Sequence, residues 1–214
     1  MRGLWGGVAA LLPALAAAQE APQAVVVTAT RTPQSALEVP ASIDRVEGDQ
    51  IRDLHQQVNL SESMGAVPGI TVQNRQNYAQ DLQVQSRGFG ARSTFGVRGI
   101  RLIADGIPAT MPDGQGQTAT FALGSADHIE VLRGPFSVLY GASSGGVIAM
   151  ETMDGPQVPT GEADLLLGSY RTWRGDFKYG GTWDGLNAIG DLSRFETDGY
   201  RQHSVTRRDH FNAK

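Results

Sequence analysis

The chain contains no cysteine among its 214 residues. This absence excludes a disulfide scaffold and thiolate metal sites. There is no excess of basic residues either, since the formal net charge is −4, so nucleic acid is not expected as a partner. Long apolar runs are confined to the amino terminus, and no later stretch predicts a membrane-spanning helix. If the body of the chain enters a membrane, it must do so as a barrel of strands.

The amino terminus predicts a signal peptide over residues 1–18. Met1-Arg2 supplies the positive charge, residues 4–15 are apolar, and Ala16-Ala17-Ala18 matches the small-residue rule for cleavage before Gln19. The apolar run is shorter than the roughly 20 residues that a spanning helix needs. We therefore expect an exported protein.

The most informative stretch is 127–152, in which two apolar runs flank a glycine-rich bend. Ile129 and Val131 give the first run the alternating β-branched pattern of a strand. Gly134-Pro135 ends that run, and residues 147–150 form the second. Glu130 and Arg133 lie inside this apolar unit and need partners if they are buried.

The letters of this stretch, IEVLRGP followed by YG and GGVI, closely resemble the signature that ends the plug domain of TonB-dependent outer-membrane receptors. The blocks VPGI, SRGFG and LIADGIP occur in the order that this family shows. The resemblance implies active transport across the cell outer membrane, with no chemistry on the ligand and no cofactor. An iron chelate is the commonest ligand class of the family, and cobalamin or a saccharide stays open.

Residues 33–154 are predicted to form a plug domain of α+β class, a small mixed sheet with short helices. The expected strands are 39–46, 70–73, 82–89 and 99–108, the last ending in an Asp-Gly turn, together with the two runs of the signature. The expected helices are 48–55, with Asp49 as its cap, and 60–67, which Pro68-Gly69 terminates.

The exported segment 19–32 contains the β-prone run VVVTATR between Pro22 and Pro33. Taken alone, the run is an ordinary first strand of the domain. The resemblance instead implies a TonB box, which adds as a strand to the inner-membrane energy-coupling protein TonB. The residues carried over are Val25, Val26, Val27, Thr28 and Ala29.

Two polar, glycine-bearing stretches, 74–80 and 110–117, are predicted to be loops. Most such loops are solvated connections, but the resemblance implies that loops on the outer side meet the ligand. The candidate ligand-binding residues are Arg75, Tyr78, Met111 and Gln115. The letters MPDGQGQ resemble receptors of the ferric-dicitrate type.

Three charged residues, Arg87, Glu130 and Arg133, lie within or beside apolar strands. One interpretation is a structural ion pair inside the plug. The family suggests another, a charge lock between plug and barrel wall that must open during transport. Removing one member of a buried pair costs about 3–5 kcal/mol under either interpretation.

The tail is predicted to be a linker, 155–161, followed by the first antiparallel strands of a transmembrane β-barrel, 162–214. Residues 172–183 alternate without a break, with Trp173, Phe177, Tyr179 and Trp183 on one face and charges on the other. Such a strand is about 33 Å long and, tilted by about 40°, rises roughly 25 Å, the height of a barrel's apolar band, which would contact the outer-membrane lipid.

Asp184-Gly185 predicts a tight turn into a strand at 186–193. Strand 162–168 and outer loops at 168–171 and 198–208 are expected around this hairpin, and a further strand begins near Phe211. About three strands cannot close a barrel, so we expect the chain to represent the front third of a receptor.

Two alternatives belong to other classes. An exported plug-like binding module without a working barrel would be soluble in the periplasm. A serine hydrolase would use Gly141-Ala142-Ser143-Ser144-Gly145, but the run after Ser143 is β-like, whereas a nucleophile elbow needs a helix there. The four histidines show no ligand spacing, so no bound metal is expected.

Overall fold

The computed structural model describes residues 26–27, 34–35, 39–53, 55–75, 77–78, 80–134, 137–141 and 143–214. The predicted signal peptide lies outside these residues, as do Val25, Thr28 and Ala29 of the predicted TonB box. Within the described ranges, no helix has the length and apolar character needed to cross a membrane.

Strands dominate the described part of the chain. They are β1 (Val26–Val27), β2 (Gln34–Ser35), β3 (Ser42–Glu47), β4 (Ile70–Gln73), β5 (Gln83–Ser86), β6 (Val97–Arg98), β7 (Ile100–Ala104), β8 (Ile107–Pro108), β9 (Gln115–Gly116), β10 (Ala126–Arg133), β11 (Gly146–Thr152), β12 (Thr160–Gly168), β13 (Thr172–Trp183), β14 (Leu186–Thr197) and β15 (Thr206–Ala213). The helices are α1 (Gly48–Arg52) and α2 (Ser137–Tyr140).

The first large unit is a five-stranded mixed sheet, here called the central sheet, with the order β3-β10-β11-β7-β8. β10 runs antiparallel to both of its neighbours, and β11 is parallel to β7. Ile129 and Val131 of β10 join the main hydrophobic core, whereas Leu132 belongs to a smaller cluster with Val147. The alternation seen in the sequence thus distributes β10 between two apolar clusters.

The helical predictions are only partly correct. α1 ends at Arg52, and Glu47 is its N-cap in a capping box with Gln50, so Asp49 is not the cap and instead pairs with Arg52 at 2.8 Å. The predicted helix 60–67 consists of two 3₁₀ turns, Leu60–Glu62 and Met64–Ala66. Short 3₁₀ turns of this kind commonly act as connectors, whereas an isolated helix of two turns is marginal.

The second large unit is an antiparallel four-stranded sheet, here called the meander sheet, in the order β12-β13-β14-β15. β14 reaches Thr197 and β15 begins at Thr206, where the two strands pair. The prediction that 198–208 is one loop was therefore wrong at its end, because cross-strand pairing extends the hairpin to Thr206. The turn at Asp184-Gly185 is confirmed, with φ of 47° and 86°, the left-handed values of a type I′ turn.

The two faces of the meander sheet differ in chemistry and in exposure. The charged residues Arg174, Asp176 and Lys178 of β13 are buried. Phe177 and Tyr179, which point to the other face of the strand, are exposed. The charged face packs on the loops of the central sheet, and the aromatic face points away from the protein. This arrangement inverts that of a soluble sheet, whose apolar side would cover the core.

Candidate functional site

The contact between the two sheets is centred on the backbone of Gly124. Lys178 Nζ donates to the Gly124 carbonyl at 3.2 Å, and Arg174 lies 3.2 Å from Asp176 beside it. Asp191, also buried, completes the group from β14. Charges of both signs therefore line the inner face of the meander sheet. They face the uncharged turn that precedes β10 of the central sheet.

Arg208 of β15 anchors the meander sheet to two separate segments of the chain that precede β10. Its guanidinium donates to the Val58 carbonyl at 2.7 Å and also to the Ala119 carbonyl. Sequence reasoning had placed this residue in an outer loop. In the structure, Thr206, Arg208 and His210 alternate with exposed neighbours, but the letters TRRDHF do not alternate between apolar and polar residues, so no strand signal was available in the sequence here.

The opposite end of the meander sheet holds the linker. Asn187 accepts from the Gly155 amide at 2.8 Å and donates to the Gly155 carbonyl at 2.6 Å. Lys214 pairs with Asp154 at 2.9 Å and donates to the Thr152 carbonyl at 2.8 Å. The Asp184-Gly185 turn and the end of β11 therefore lie at the same end of the molecule.

Two of the three predicted charge-lock residues, Glu130 and Arg133, lie on β10 of the central sheet. Arg133 pairs with Asp44 of β3 at 2.5 Å and donates to the Pro68 carbonyl at 2.6 Å. Glu130 is 1% exposed and lies 3.4 Å from His128 of the same strand. Arg87 lies in the exposed turn after β5, at a φ of 48°. These contacts favour a structural role inside the domain, and a lock to the wall stays a prediction.

The four predicted ligand residues lie at the other end of the molecule from the linker, Arg75, Tyr78 and Met111 on loops and Gln115 at the start of β9. Arg75 is exposed and lies 3.3 Å from Gln80. Met111 is exposed within the 110–117 stretch. Gln115 accepts from Arg98 at 2.9 Å. Tyr78 packs on Phe195 of β14 with the ring centroids 5.1 Å apart, and burial followed by the charge of Glu62 raises the pKa of its hydroxyl. Tyr78 thus ties its loop to the meander sheet.

A third loop, 87–96, joins this end and was not selected from the sequence as a ligand segment. Phe89 and Phe95 are exposed there, at 49% and 74%. Arg98, which follows the loop, contacts Asp113 at 3.5 Å, while Gln117 lies 3.4 Å from Asp81. The three loops therefore form one surface, which we call the apical surface. Exposed aromatics in a glycine-rich loop were the available signal.

The described part of the TonB-box segment is β1, which pairs antiparallel with β2. Val26 is opposite Ser35 and Val27 is opposite Gln34. The backbone of Val26 and Val27 is thus extended and forms a ladder, which a strand that adds to a partner sheet also has to do.

The G-x-S-x-G pentapeptide lies at the start of β11. Ser143 is fully buried, its Oγ lies 3.3 Å from the Gly141 carbonyl, and the strand β11 follows. This is the β-like continuation that the sequence predicted, in place of the helix of a nucleophile elbow. Among the described residues, no three of the acidic and histidine side chains are grouped so that they could hold a metal ion.

Comparison with known proteins identifies the family of the chain. Residues 35–148 match the family model of the TonB-dependent receptor plug domain, and the chain belongs to that family. The fold and the family are those that the resemblance implied, and the family is one of outer-membrane receptors.

Individual relatives have the same character. The chain is 29% identical over 201 residues to a hemin receptor of Yersinia enterocolitica, covering 88% of this chain and 27% of that protein. It is 32% identical to the pesticin receptor of Yersinia pestis, covering 82% and 26%, respectively. It is 29% identical to the vitamin B12 transporter BtuB of Vibrio vulnificus, covering 85% and 29%. The chain thus spans less than a third of the length of these relatives.

Solved structures share the fold. The pyoverdine outer membrane receptor FpvA of Pseudomonas aeruginosa superposes with a TM-score of 0.70 at 23% identity, covering 88% of this chain and 27% of that one. The alcaligin outer-membrane receptor FauA of Bordetella pertussis gives 0.64 at 21% identity, covering 88% and 31%. The matched part extends beyond the family model, since that model ends at residue 148.

Proposed function

We propose that the chain is the front part of a receptor that takes up a ferric chelate, or a similarly scarce nutrient, across the outer membrane with energy from TonB. The observation that carries the proposal is the pairing of a plug-family domain with a sheet whose polar face holds it. The relatives named above are receptors and transporters of this kind, and no catalytic step is assigned to this chain.

The exposed face of the meander sheet supports insertion into lipid. Phe177, Tyr179, Trp183, Leu192 and Phe211 all lie on it, at 40% to 71% exposure. In outer-membrane barrels, the outward face of each strand is apolar and the inward face is polar. A soluble periplasmic binding module would leave this aromatic face in water, which argues against that alternative.

The apical surface is proposed to contact the ligand. It combines the predicted residues Arg75, Met111 and Gln115 with the exposed rings of Phe89 and Phe95. Cationic and aromatic groups together suit an anionic chelate with a partly apolar frame. An iron chelate is therefore our preferred ligand class, and ferric citrate would meet the anionic requirement of this surface alone, since citrate has no apolar frame.

The TonB box tests the proposal. Val26→Pro removes a ladder amide from the run that is proposed to pair with TonB, so we expect energy-dependent uptake to be lost in the complete receptor while ligand binding stays unchanged. Uptake and equilibrium binding of the iron-labelled ligand are measured in the same cells.

Val26→Thr is the matched control, because it keeps the amide and the β-branched side chain, and it should transport normally. An equal loss of binding and uptake in Val26→Pro would contradict the coupling role.

A further inference from the structure

One cation of the apical surface lies on a two-stranded ribbon, β6 with β9, and not on a loop. Arg98 of β6 is directly opposite Gln115 of β9, so the two side chains project on the same side of the ribbon. The Met111 amide donates to the Gln115 carbonyl at 2.8 Å, and a Cβ on Gly96 would lie 2.6 Å from the Gly116 carbonyl oxygen, so the backbones here are closely packed. A side chain on paired strands is positioned more precisely than one on a loop.

The guanidinium of Arg98 is in contact with the protein through one nitrogen. Its Nη2 donates to the Gln115 side-chain oxygen at 2.9 Å and lies 3.5 Å from Asp113 Oδ2. Within the described part of the chain, its Nε–H and Nη1–H groups meet no acceptor. Nη2 belongs to both edges on which a guanidinium can hold a carboxylate by two parallel hydrogen bonds. A carboxylate bound in this way therefore competes for Nη2, and the contact with Asp113 is the longer of the two.

The contact between Asp113 and Arg98 is a weak one. Both side chains are about half exposed, so the ion pair is screened by water and contributes little to stability. Asp113 Oδ1 accepts from the Gln115 amide at 3.0 Å, a bond that does not involve the guanidinium. Asp113 therefore keeps its place in the turn whether or not Arg98 stays beside it.

We propose that Asp113 takes the place of a ligand carboxylate on Arg98, so that an anionic chelate binds by exchange with a carboxylate of the protein. Arg98 contacts the ligand, Gln115 positions the guanidinium, and Asp113 is its neighbour while no ligand is bound. The exchange is favourable because a bidentate carboxylate makes two short, charge-assisted hydrogen bonds, whereas Asp113 makes one long contact.

This assignment rests on the proposed function, since that function places the ligand on the apical surface. It also narrows the ligand class to ferric chelates that carry carboxylates. The two ideas can fail separately. Uptake of a carboxylate-free ferric hydroxamate, abolished by Val26→Pro, would leave the proposed function standing while the role of Arg98 fails.

Equilibrium binding of iron-labelled ferric citrate to the complete receptor tests the role of Arg98. Citrate offers carboxylates and no apolar frame, so its affinity reports on the cation and not on the exposed rings. Arg98→Gln should weaken binding about ten- to a hundredfold, the range for a lost charge-assisted pair. Arg98→Lys should restore only part of the affinity, because an ammonium has no planar fork. Arg207→Gln, on the outward face of β15, is the control and should bind normally.

Asp113→Asn distinguishes exchange from simple repulsion between the ligand and a carboxylate. The variant keeps the acceptor for the Gln115 amide, and it should tighten binding about two- to fivefold, the scale of an exposed ion pair. That gain should disappear in the Arg98→Gln background, since no guanidinium is left to be freed. Asp81→Asn removes another carboxylate of the same surface, one that lies 3.4 Å from Gln117, and its effect should be equal in both backgrounds.

Three results would overturn the assignment. They are an unchanged affinity in Arg98→Gln, a gain in Asp113→Asn that persists without Arg98, and failure of the unmodified receptor to bind ferric citrate. Arg98 and Asp113 are half exposed, so the variants are expected to fold, and the amount of receptor in the outer membrane checks this.

Discussion

Gly124 is a glycine because the inward-facing side chains of the meander sheet leave no room for a larger residue. A Cβ at this position would lie 2.8 Å from both Arg174 Nη2 and Asp191 Oδ2, and 3.0 Å from Asp176 Oδ1. Arg174 and Asp176 are buried and paired with each other at 3.2 Å, so neither can move away without weakening that contact. The small residue thus lets the polar face of the meander sheet approach the plug backbone.

Gly124→Ala should therefore destabilise the chain by about 1–3 kcal/mol, the usual cost of overpacking a close contact. Unfolding in urea, followed by tryptophan fluorescence in detergent, gives this free energy. Gly65→Ala is the matched control, because a Cβ there meets nothing within 4 Å, and it should change stability by less than about 0.5 kcal/mol. Equal stabilities of the two variants would refute the close packing at Gly124.

Single residues were predictable where the chemistry was local. Glu130 and Arg133 could be recognised as charges inside an apolar run, and the structure places partners beside both. The importance of Gly124 could not be foreseen, because the atoms that crowd it come from strands about 50 to 70 positions later, and no local pattern specifies such a contact.

At the scale of elements, the hairpin β13–β14 holds the linker through two side chains, Asn187 and Thr182, the second of which donates its hydroxyl to the Pro156 carbonyl at 3.3 Å. Asn187 makes two hydrogen bonds to Gly155, and a Cβ on Gly155 would approach the Ala188 and Gly181 backbone. The linker therefore has a fixed path over the turn end of the hairpin, although its two glycines suggest a flexible spacer.

Asn187→Ala should release this path, because it leaves a buried amide and a carbonyl unpaired at a cost of about 1–3 kcal/mol. The rate of limited proteolysis within residues 155–159 should rise several-fold. Asn187→Asp keeps the acceptor for the Gly155 amide and should give an intermediate rate. A cleavage rate that is unchanged in Asn187→Ala would show that other contacts hold the linker.

Elements with a strong period were predictable, and short ones were not. The β13 strand and the Asp184-Gly185 turn agree with the sequence because twelve alternating residues and one turn dipeptide point the same way. The helix at 60–67 was wrong because Glu62 accepts from the amides of Gln57, Val58 and Asn59, and this local capping favours a tight 3₁₀ turn.

At the scale of the whole molecule, the chain has two ends with different chemistry. One end holds the linker, the Asp184-Gly185 turn and His128. The apical surface lies at the other, where Tyr78 meets Phe195 near the outer end of β14. For the receptor proposed above, this division predicts ligand binding at the end that carries the apical surface.

The family signature made the two units and their order predictable, but their docking was not. Alternation in β13, together with the family resemblance, predicted that the aromatic face meets lipid and the charged face meets the lumen, but not which backbone groups the charges contact. The answer depends on Arg208 and Lys178 finding backbone carbonyls across the interface, which is a property of tertiary structure alone.

The orientation of the meander sheet is the central claim, and cysteine labelling in membranes reconstituted with brominated lipid tests it most directly. These 214 residues contain no cysteine, so a label introduced by a single substitution in this segment is readily assigned. A fluorescent label at Phe177→Cys or Tyr179→Cys should be quenched by brominated lipid, whereas one at Lys178→Cys should not. Quenching at position 178, or access of water-soluble quenchers to positions 177 and 179, would contradict the account.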